Sequence, residues 1–462
     1  MTLYRANKIL ITFFAIFAPS AVAAEENCAV GFEKLRYDDE TGCFRNEQGL
    51  TGLDALKDIE LAPDVVLSIG GELRERYEYT RNPVFGGDPQ DENGVWLQRF
   101  TLHGDLQIGE HVRLFGQLFS AIEEGRAGGA SPADRNDLTV QNAFVDFRGP
   151  IAGGEANLRL GRQELQFGSG RFVDVREGPN VRRTFDAVRP SIEIGDWRID
   201  GLWARPRITE PGVFDDRQND DQDLWSLYAV KNDAFIPGGT LDLYYLGFRN
   251  DNALFAQGVA DEERHTLGIR HAGTAGPWDW NWEAAYQFGS FGDGDISAWT
   301  LATDTGYTFE QAPWSPRIAL STNIASGDSD PDDNDLGTFN AIFPRGNYFS
   351  EAAVLGPRNF YNLHAFLTVK PTDRLRLQTD YNLFWRLQKE DGVYGPAGNL
   401  FVPGGGDDRF VASALSFTAE YALTERIALT GIYTRVFAGD VIEATSNSDD
   451  IDFIELTFSF HF

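Results

Sequence analysis

The last nine residues, Ile454-Glu455-Leu456-Thr457-Phe458-Ser459-Phe460-His461-Phe462, alternate apolar and polar side chains without a miss. Successive side chains of a strand point to opposite faces, so such a run makes a strand with one greasy face. The same period recurs along most of the chain. Trp278, Trp280, Trp282, Ala284, Tyr286 and Phe288 share one face, against Asp279, Asn281, Glu283 and Gln287 on the other. Phe100, Leu102, Leu106 and Ile108 oppose Arg99, Thr101, His103, Asp105 and Gln107. Ile318, Leu320 and Ile324 oppose Arg317, Ser321 and Asn323. Leu375, Leu377, Tyr381, Leu383, Trp385 and Leu387 oppose Arg374, Arg376, Gln378, Asp380, Asn382 and Arg386. These segments are about twice as long as the five or six residues usual for a soluble strand. They suit a tilted crossing of a bilayer, where only a closed barrel leaves no unpaired strand edge.

Eighteen such segments start near residues 66, 97, 111, 138, 156, 185, 197, 223, 239, 264, 278, 296, 315, 358, 373, 409, 424 and 450. Short connections include Gly109–Glu110, Gly195–Asp196, 371–373 and 422–425. Long ones include 81–96, 168–184, 206–222, 250–263, 326–357, 389–408 and 438–449. The expected fold is therefore an all-β transmembrane antiparallel barrel of about 18 strands, with short periplasmic turns and long external loops. An aromatic at the very end of a closing strand resembles the signal by which outer-membrane barrels are recognised for assembly. The barrel-assembly machinery is thus an expected partner.

The other end of the chain agrees. Arg5 and Lys8 precede an apolar run, residues 9–18, followed by Ala21, Val22, Ala23 and Ala24. That is the layout of a secretory signal peptide covering residues 1–24, and the run is shorter than the roughly 20 residues of a helical span. An N-terminal anchor is the alternative. Residues 25–64 are mixed and weakly periodic, and are read as a periplasmic extension before a barrel spanning 65–462. They hold the two cysteines, Cys28 and Cys43. In an exported chain these are most simply one disulfide; a metal pair would lack further ligands nearby. Residues 51–59 could form a short helix capped by Thr51.

Charge is distributed unevenly. Without Arg5 and Lys8 the chain keeps 38 bases against 70 acids, a net charge of −32. That excludes nucleic-acid binding through a general basic face. Yet the window 159–207 holds ten arginines (159, 162, 171, 176, 182, 183, 189, 198, 205 and 207), no lysine and seven acids. Guanidinium groups pair with carboxylates through two parallel bonds, and arginine lining a pore selects anions. Phase turns Arg159, Arg183, Arg189, Arg198 and Asp200 inward. Leu165 and Phe167 sit on the wrong parity, so a bulge is expected near Gly161, which would also turn Arg162 inward. Arg171, Arg176 and Arg182 fall in the following loop, while Arg374 and Arg376 face the lumen from a distant strand. The bland reading is that these arginines brace the wall by pairing with interspersed acids; the two roles are compatible.

Residues 160–165 (Leu-Gly-Arg-Gln-Glu-Leu), 168–171 (Gly-Ser-Gly-Arg), 176–180 (Arg-Glu-Gly-Pro-Asn) and 182–186 (Arg-Arg-Thr-Phe-Asp) resemble the central signature of the alginate-export family of outer-membrane proteins. A second match runs through Ser326-Gly327-Asp328, residues 336–340 (Leu-Gly-Thr-Phe-Asn), 343–346 (Phe-Pro-Arg-Gly) and Tyr348-Phe349. The strand pattern extends the resemblance over roughly 66–462. It implies an 18-stranded barrel and export of an anionic uronate polysaccharide through an arginine-lined channel. The arginine window and strand phase make Arg159, Arg162, Arg171, Arg176, Arg182, Arg183, Arg189, Arg198, Arg374 and Arg376 the candidate pore residues. Periplasmic polysaccharide-synthesis proteins would then be partners.

Acids crowd the loops: Asp215, Asp216, Asp220, Asp221 and Asp223 in one, Asp328, Asp330, Asp332, Asp333 and Asp335 in another. No EF-hand glutamate follows, so these loops are read as solvated and bridged to lipopolysaccharide by divalent ions, with Ca²⁺ at most loosely held. The loop 326–357 is long enough to enter the pore, with residues 339–349 as its packing half. An outer-membrane enzyme is the opposing class, but none of His103, His111, His265, His271, His364 and His461 sits in a nucleophile motif, and 167–171 is not a strand-turn-helix elbow. The expectation is a monomeric outer-membrane channel without a cofactor, passing an anionic polysaccharide or another anionic or polyhydroxylated solute. An uptake porin for small organic acids or oligosaccharides is the alternative.

Overall fold

The computed structural model describes residues 31–39, 51–346 and 349–462. The leader, Cys28 and Cys43 lie outside them. Eighteen strands form the wall: β1 (Val65–Arg81), β2 (Val95–Ile108), β3 (Val112–Glu124), β4 (Asn136–Ile151), β5 (Gly154–Gln163), β6 (Phe185–Ile194), β7 (Trp197–Ile208), β8 (Gln222–Lys231) and β9 (Gly239–Phe255) make one half. The other half is β10 (Gly258–Ala275), β11 (Trp278–Phe291), β12 (Gly294–Thr308), β13 (Arg317–Ala325), β14 (Phe360–Thr372), β15 (Leu375–Arg386), β16 (Phe410–Ala422), β17 (Ile427–Ala438) and β18 (Ile451–His461). Each pairs antiparallel with the next, and β18 closes on β1 from Glu72↔His461 to Arg81↔Asp452. None of the eighteen wall strands is therefore an edge strand.

Alternation sorts the two faces. Leu227, Leu267, Ile318 and Leu456 stand more than half exposed on the outside, whereas Arg99, Asp146, Asn362 and Asn382 are buried inside. A continuous apolar exterior is untenable in water and satisfied in lipid. No helix among the described residues is long and apolar enough to cross a membrane.

Strand starts fall within three residues of expectation except for β10. The expected loop 250–263 is instead a projecting hairpin, with only 256–257 between β9 and β10. Its charged stretch reads as a loop, but Glu262 and Arg264 face inward and pair at 2.5 Å. The expected bulge at Gly161 is absent: β4 and β5 run in unbroken register from Ala143↔Arg162 to Ile151↔Gly154. The slip lies one strand over, where Gln141 of β4 is skipped against Gln117–Leu118 of β3. Leu165 and Phe167 change parity because β5 ends at Gln163 and the chain turns into the barrel.

Two loops therefore fill mid-height. Residues 164–184 fold inward from β5, and the 326–359 loop comes down to meet them. The Phe343 N–H donates to Phe172 O and the Asp174 N–H to Phe343 O, each at 2.9 Å, and the Arg345 N–H donates to Gly170 O at 2.9 Å. Leu165, Phe167, Phe172, Phe339 and Phe343 build an apolar core with Tyr228 and Tyr244 of the wall. Gly168 (φ +52°) lies so close to the Tyr228 hydroxyl that a Cβ would stand 2.5 Å from it.

The described part of the N-terminal extension is not confined to the mouth. Residues 51–64 stay at the turn end, where Ile59–Ala62 pairs with the start of β1. The expected helix there is a single 3-10 turn, Asp54–Leu56. Residues 31–39 lie inside the lumen, beneath the 164–184 loop.

Candidate functional site

The 164–184 loop is pinned to the wall by acids that face several cations at once. Glu177 pairs with Arg74 at 3.3 Å, with Arg182 at 3.3 Å, and with Arg99. Burial would raise the Glu177 carboxyl, but Arg99, Arg182 and Arg74 together hold it well below the usual carboxylate range. Arg182 also pairs with buried Glu164 at 2.9 Å, and the bulged Gln141 donates to Glu164 at 2.9 Å. Asn180 accepts from Arg74 at 3.0 Å, while its own amide donates to Gln98 O and Asp134 O. The Arg-Glu-Gly-Pro-Asn run is thus a clasp between loop and wall.

The arginines singled out from the sequence separate into groups. Arg159 faces inward and forks onto Asp146 at 2.7 and 2.9 Å. Arg189 and Arg198 share Asp200, each at 2.9 Å. Arg171 pairs with Glu283 at 3.2 Å, and Arg182 belongs to the clasp. Arg376 pairs with Glu420 at 2.9 Å on the far side of the barrel. Two depart from expectation. Arg162 stands opposite Asp186 in the β5–β6 ladder and pairs with it at 2.9 Å. Without a bulge at Gly161 it keeps the outward parity of Leu158 and Leu160, so it does not line the lumen. Arg374 is exposed in the turn before β15, apart from the others.

Arg176 and Arg183 form the remaining pair. The Arg183 N–H donates to Val175 O at 2.8 Å, which lays Arg183 beside Arg176. Arg176 adopts the left-handed conformation (φ +63°), disfavoured by roughly 1–2 kcal/mol for a residue with a Cβ. Its N–H bond to Asp174 Oδ1, 2.7 Å, holds that turn. Among the described residues neither guanidinium meets a carboxylate: Arg183 donates to the Asp174 carbonyl at 3.1 Å and lies over the Phe343 ring, and Arg176 Nε has no acceptor. Burial, reinforced by the Arg176 charge, pushes the Arg183 guanidinium down to about 9, which leaves it charged at neutral pH.

Both side chains line a cavity of about 580 Å³ at the loop end of the barrel, with Arg76, Arg126 and Arg358 also at its wall. In the same cavity burial, then Glu455, pushes the Glu351 carboxyl up to about 7. Arg358 was missed by parity because it precedes β14. It is held by carbonyls and amides, Gly398 O and Asn340 Oδ1 at 2.9 Å each. The signal was present: residues 356–359 read Gly-Pro-Arg-Asn, close to Gly178-Pro179-Asn180 in the clasp. A second cavity, about 320 Å³, opens at the turn end between Arg159, Arg189, Arg198, Asp200, Tyr37 and Asp38.

The loop acids fasten loop and wall, through side chains and backbone alike. Asp216 accepts from Asn136 at 3.0 Å and Thr139 at 2.8 Å; Asp328 accepts from the Asp330 and Gly337 N–H groups at 3.0 and 3.1 Å. Among the described residues no three His, Cys, Asp or Glu groups gather as a metal set.

Solved structures with the same architecture are outer-membrane barrels. Acinetobacter baumannii OccAB2 matches with a TM-score of 0.57 at 11% identity, over 86% of this chain and 98% of that one. Pseudomonas aeruginosa OccK2 (OpdF), solved with glucuronate, gives a TM-score of 0.53 at 11% identity, over 86% and 96%. P. aeruginosa OpdK, solved with vanillate, gives 0.56 at 12%, over 87% and 100%. These identities establish a shared fold. No curated protein sequence matches. The family model for alginate export matches residues 65–452, from the first residue of β1 into β18. The fold and the family are those of channel proteins, and the chain belongs to the alginate export family.

Proposed function

We propose that this chain is an outer-membrane channel that passes an anionic polysaccharide, or another anionic or polyhydroxylated solute, by diffusion. The observation that carries the reading is the Arg176–Arg183 pair: two adjacent guanidinium groups without carboxylate partners among the described residues, beside a cavity of about 580 Å³. Preorganised cations of this kind attract a carboxylate, while acids nearby keep binding weak enough for release. There is no covalent step and no cofactor, and any Ca²⁺ would sit loosely among loop acids. The barrel is a monomer inserted by the assembly machinery, its external loops against lipopolysaccharide. Periplasmic polysaccharide-synthesis proteins would deliver the cargo. In a planar bilayer, polyuronate should block the current and a neutral polymer of equal length should not. Equal block by both would contradict the reading.

The alternative is uptake of small organic acids. It is favoured by the cavity, whose volume is that of a small-molecule pocket, and by barrels of this fold solved with glucuronate and with vanillate. Block by glucuronate monomer and none by the polymer would select it.

A further inference from the structure

The segment 31–39 does something no wall strand does: it sits in the lumen on the turn side of the inward loop. Lys34 pairs with Asp174 at 2.6 Å. The Tyr37 hydroxyl donates to Glu164 O at 2.7 Å. Arg182 and Arg113 donate to the Lys34 and Tyr37 carbonyls at 2.6 and 2.5 Å. Leu35 and Tyr37 pack with Phe115 and Phe144 of the wall and Val175 of the loop. The Tyr37 ring also takes the Arg159 guanidinium on its face, 4.3 Å from the centroid. At the mouth Phe32 stacks on His461 of the closing strand, 5.2 Å between centroids. This set of contacts reaches β3, β4, β5, β18 and the 164–184 loop.

We propose that residues 31–39 are a displaceable plug that narrows the periplasmic half of the channel. Two observations make it displaceable. Residues 32–39 contain one 3-10 turn (Arg36–Asp38) and no wall strand, so their departure breaks no ladder bond of the barrel. The grip is also hydrophilic on the cavity side: Lys34 is about a third exposed, and Asp38 lines the same 320 Å³ cavity as Arg159, Arg189 and Arg198. If the anionic-cargo reading holds, Asp38 stands where a cargo carboxylate would stand, and passing cargo competes with it.

The test is single-channel conductance of the full chain in symmetric KCl, with heat-modifiable gel mobility showing that the barrel is folded. Lys34→Asp with Tyr37→Ala should raise conductance at least twofold. Lys34→Arg, which keeps a cation opposite Asp174, should stay at the wild-type level. Unchanged conductance in the folded Lys34→Asp/Tyr37→Ala variant would overturn the plug. So would a folded Lys34→Arg variant as open as Lys34→Asp/Tyr37→Ala. Conductance in KCl reads the plug whatever the cargo, and ion selectivity reads the cargo, so the two ideas fail separately.

Discussion

Arg182 and Arg183 are neighbours in the chain with opposite electrostatic surroundings. Arg182 is buried between Glu164 and Glu177. Arg183 lies against Arg176 and the Phe343 ring, with the Asp174 carbonyl as its acceptor among the described residues. A buried cation with two carboxylates is a fastener, whereas one with none carries uncompensated charge that a mobile anion can share. The clasp and the charged pair therefore depend on one another. Glu177 holds the loop to β1 and β2, and that anchorage presents Arg176 and Arg183 to the cavity.

Substitutions can break this contrast. The largest effect is expected for Glu164→Gln, which leaves Arg182 half-compensated at a fully buried site. It should cost about 3 kcal/mol, read as a lower urea midpoint for loss of the heat-modifiable band. Arg183→Gln removes one of two like charges and should move that midpoint by less than about 1 kcal/mol, in the stabilising direction. A loss as large as that of Glu164→Gln would mean that Arg183 too is a fastener. Next comes selectivity. Arg176→Gln with Arg183→Gln should lower the anion-to-cation permeability ratio several-fold, about 1 kcal/mol, while Arg376→Gln leaves it within a factor of two.

Acid probes the clasp more gently. Glu177 is held below its ordinary value of 4.5 in the folded chain, so its contribution is present above that pH and lost as the pH falls below it. The group is two-fifths exposed, so screening limits the contribution to about 1 kcal/mol. The urea midpoint of the wild type should fall below pH 4.5 faster than that of Glu177→Gln; parallel curves would deny Glu177 this role. The smallest effect is expected for Arg374→Gln, out in a turn, with stability within about 0.5 kcal/mol and selectivity unchanged.

The wall was legible because lipid outside and water inside impose a period of two on every strand, and the sequence cannot depart from it cheaply. The lumen was legible only in composition. Parity placed Arg159, Arg189 and Arg198, whose partners lie on neighbouring strands or, for Arg198, two residues along its own. It misplaced Arg162, since the bulge it needed sits at Gln141, where nothing in the local pattern breaks. It could not separate Arg182 from Arg183, because the acids that distinguish them belong to the distant end of β5 and to the loop's own fold. The plug was illegible for a related reason: residues 31–39 have no period, and their role comes entirely from what they touch.

The most direct measurement is the reversal potential across a KCl gradient in a planar bilayer, for the wild type and for the Arg176→Gln/Arg183→Gln variant. Anion preference in the wild type that collapses in the variant is the predicted result. Cation preference in the wild type, or anion preference that survives the loss of both guanidinium groups, would contradict the account.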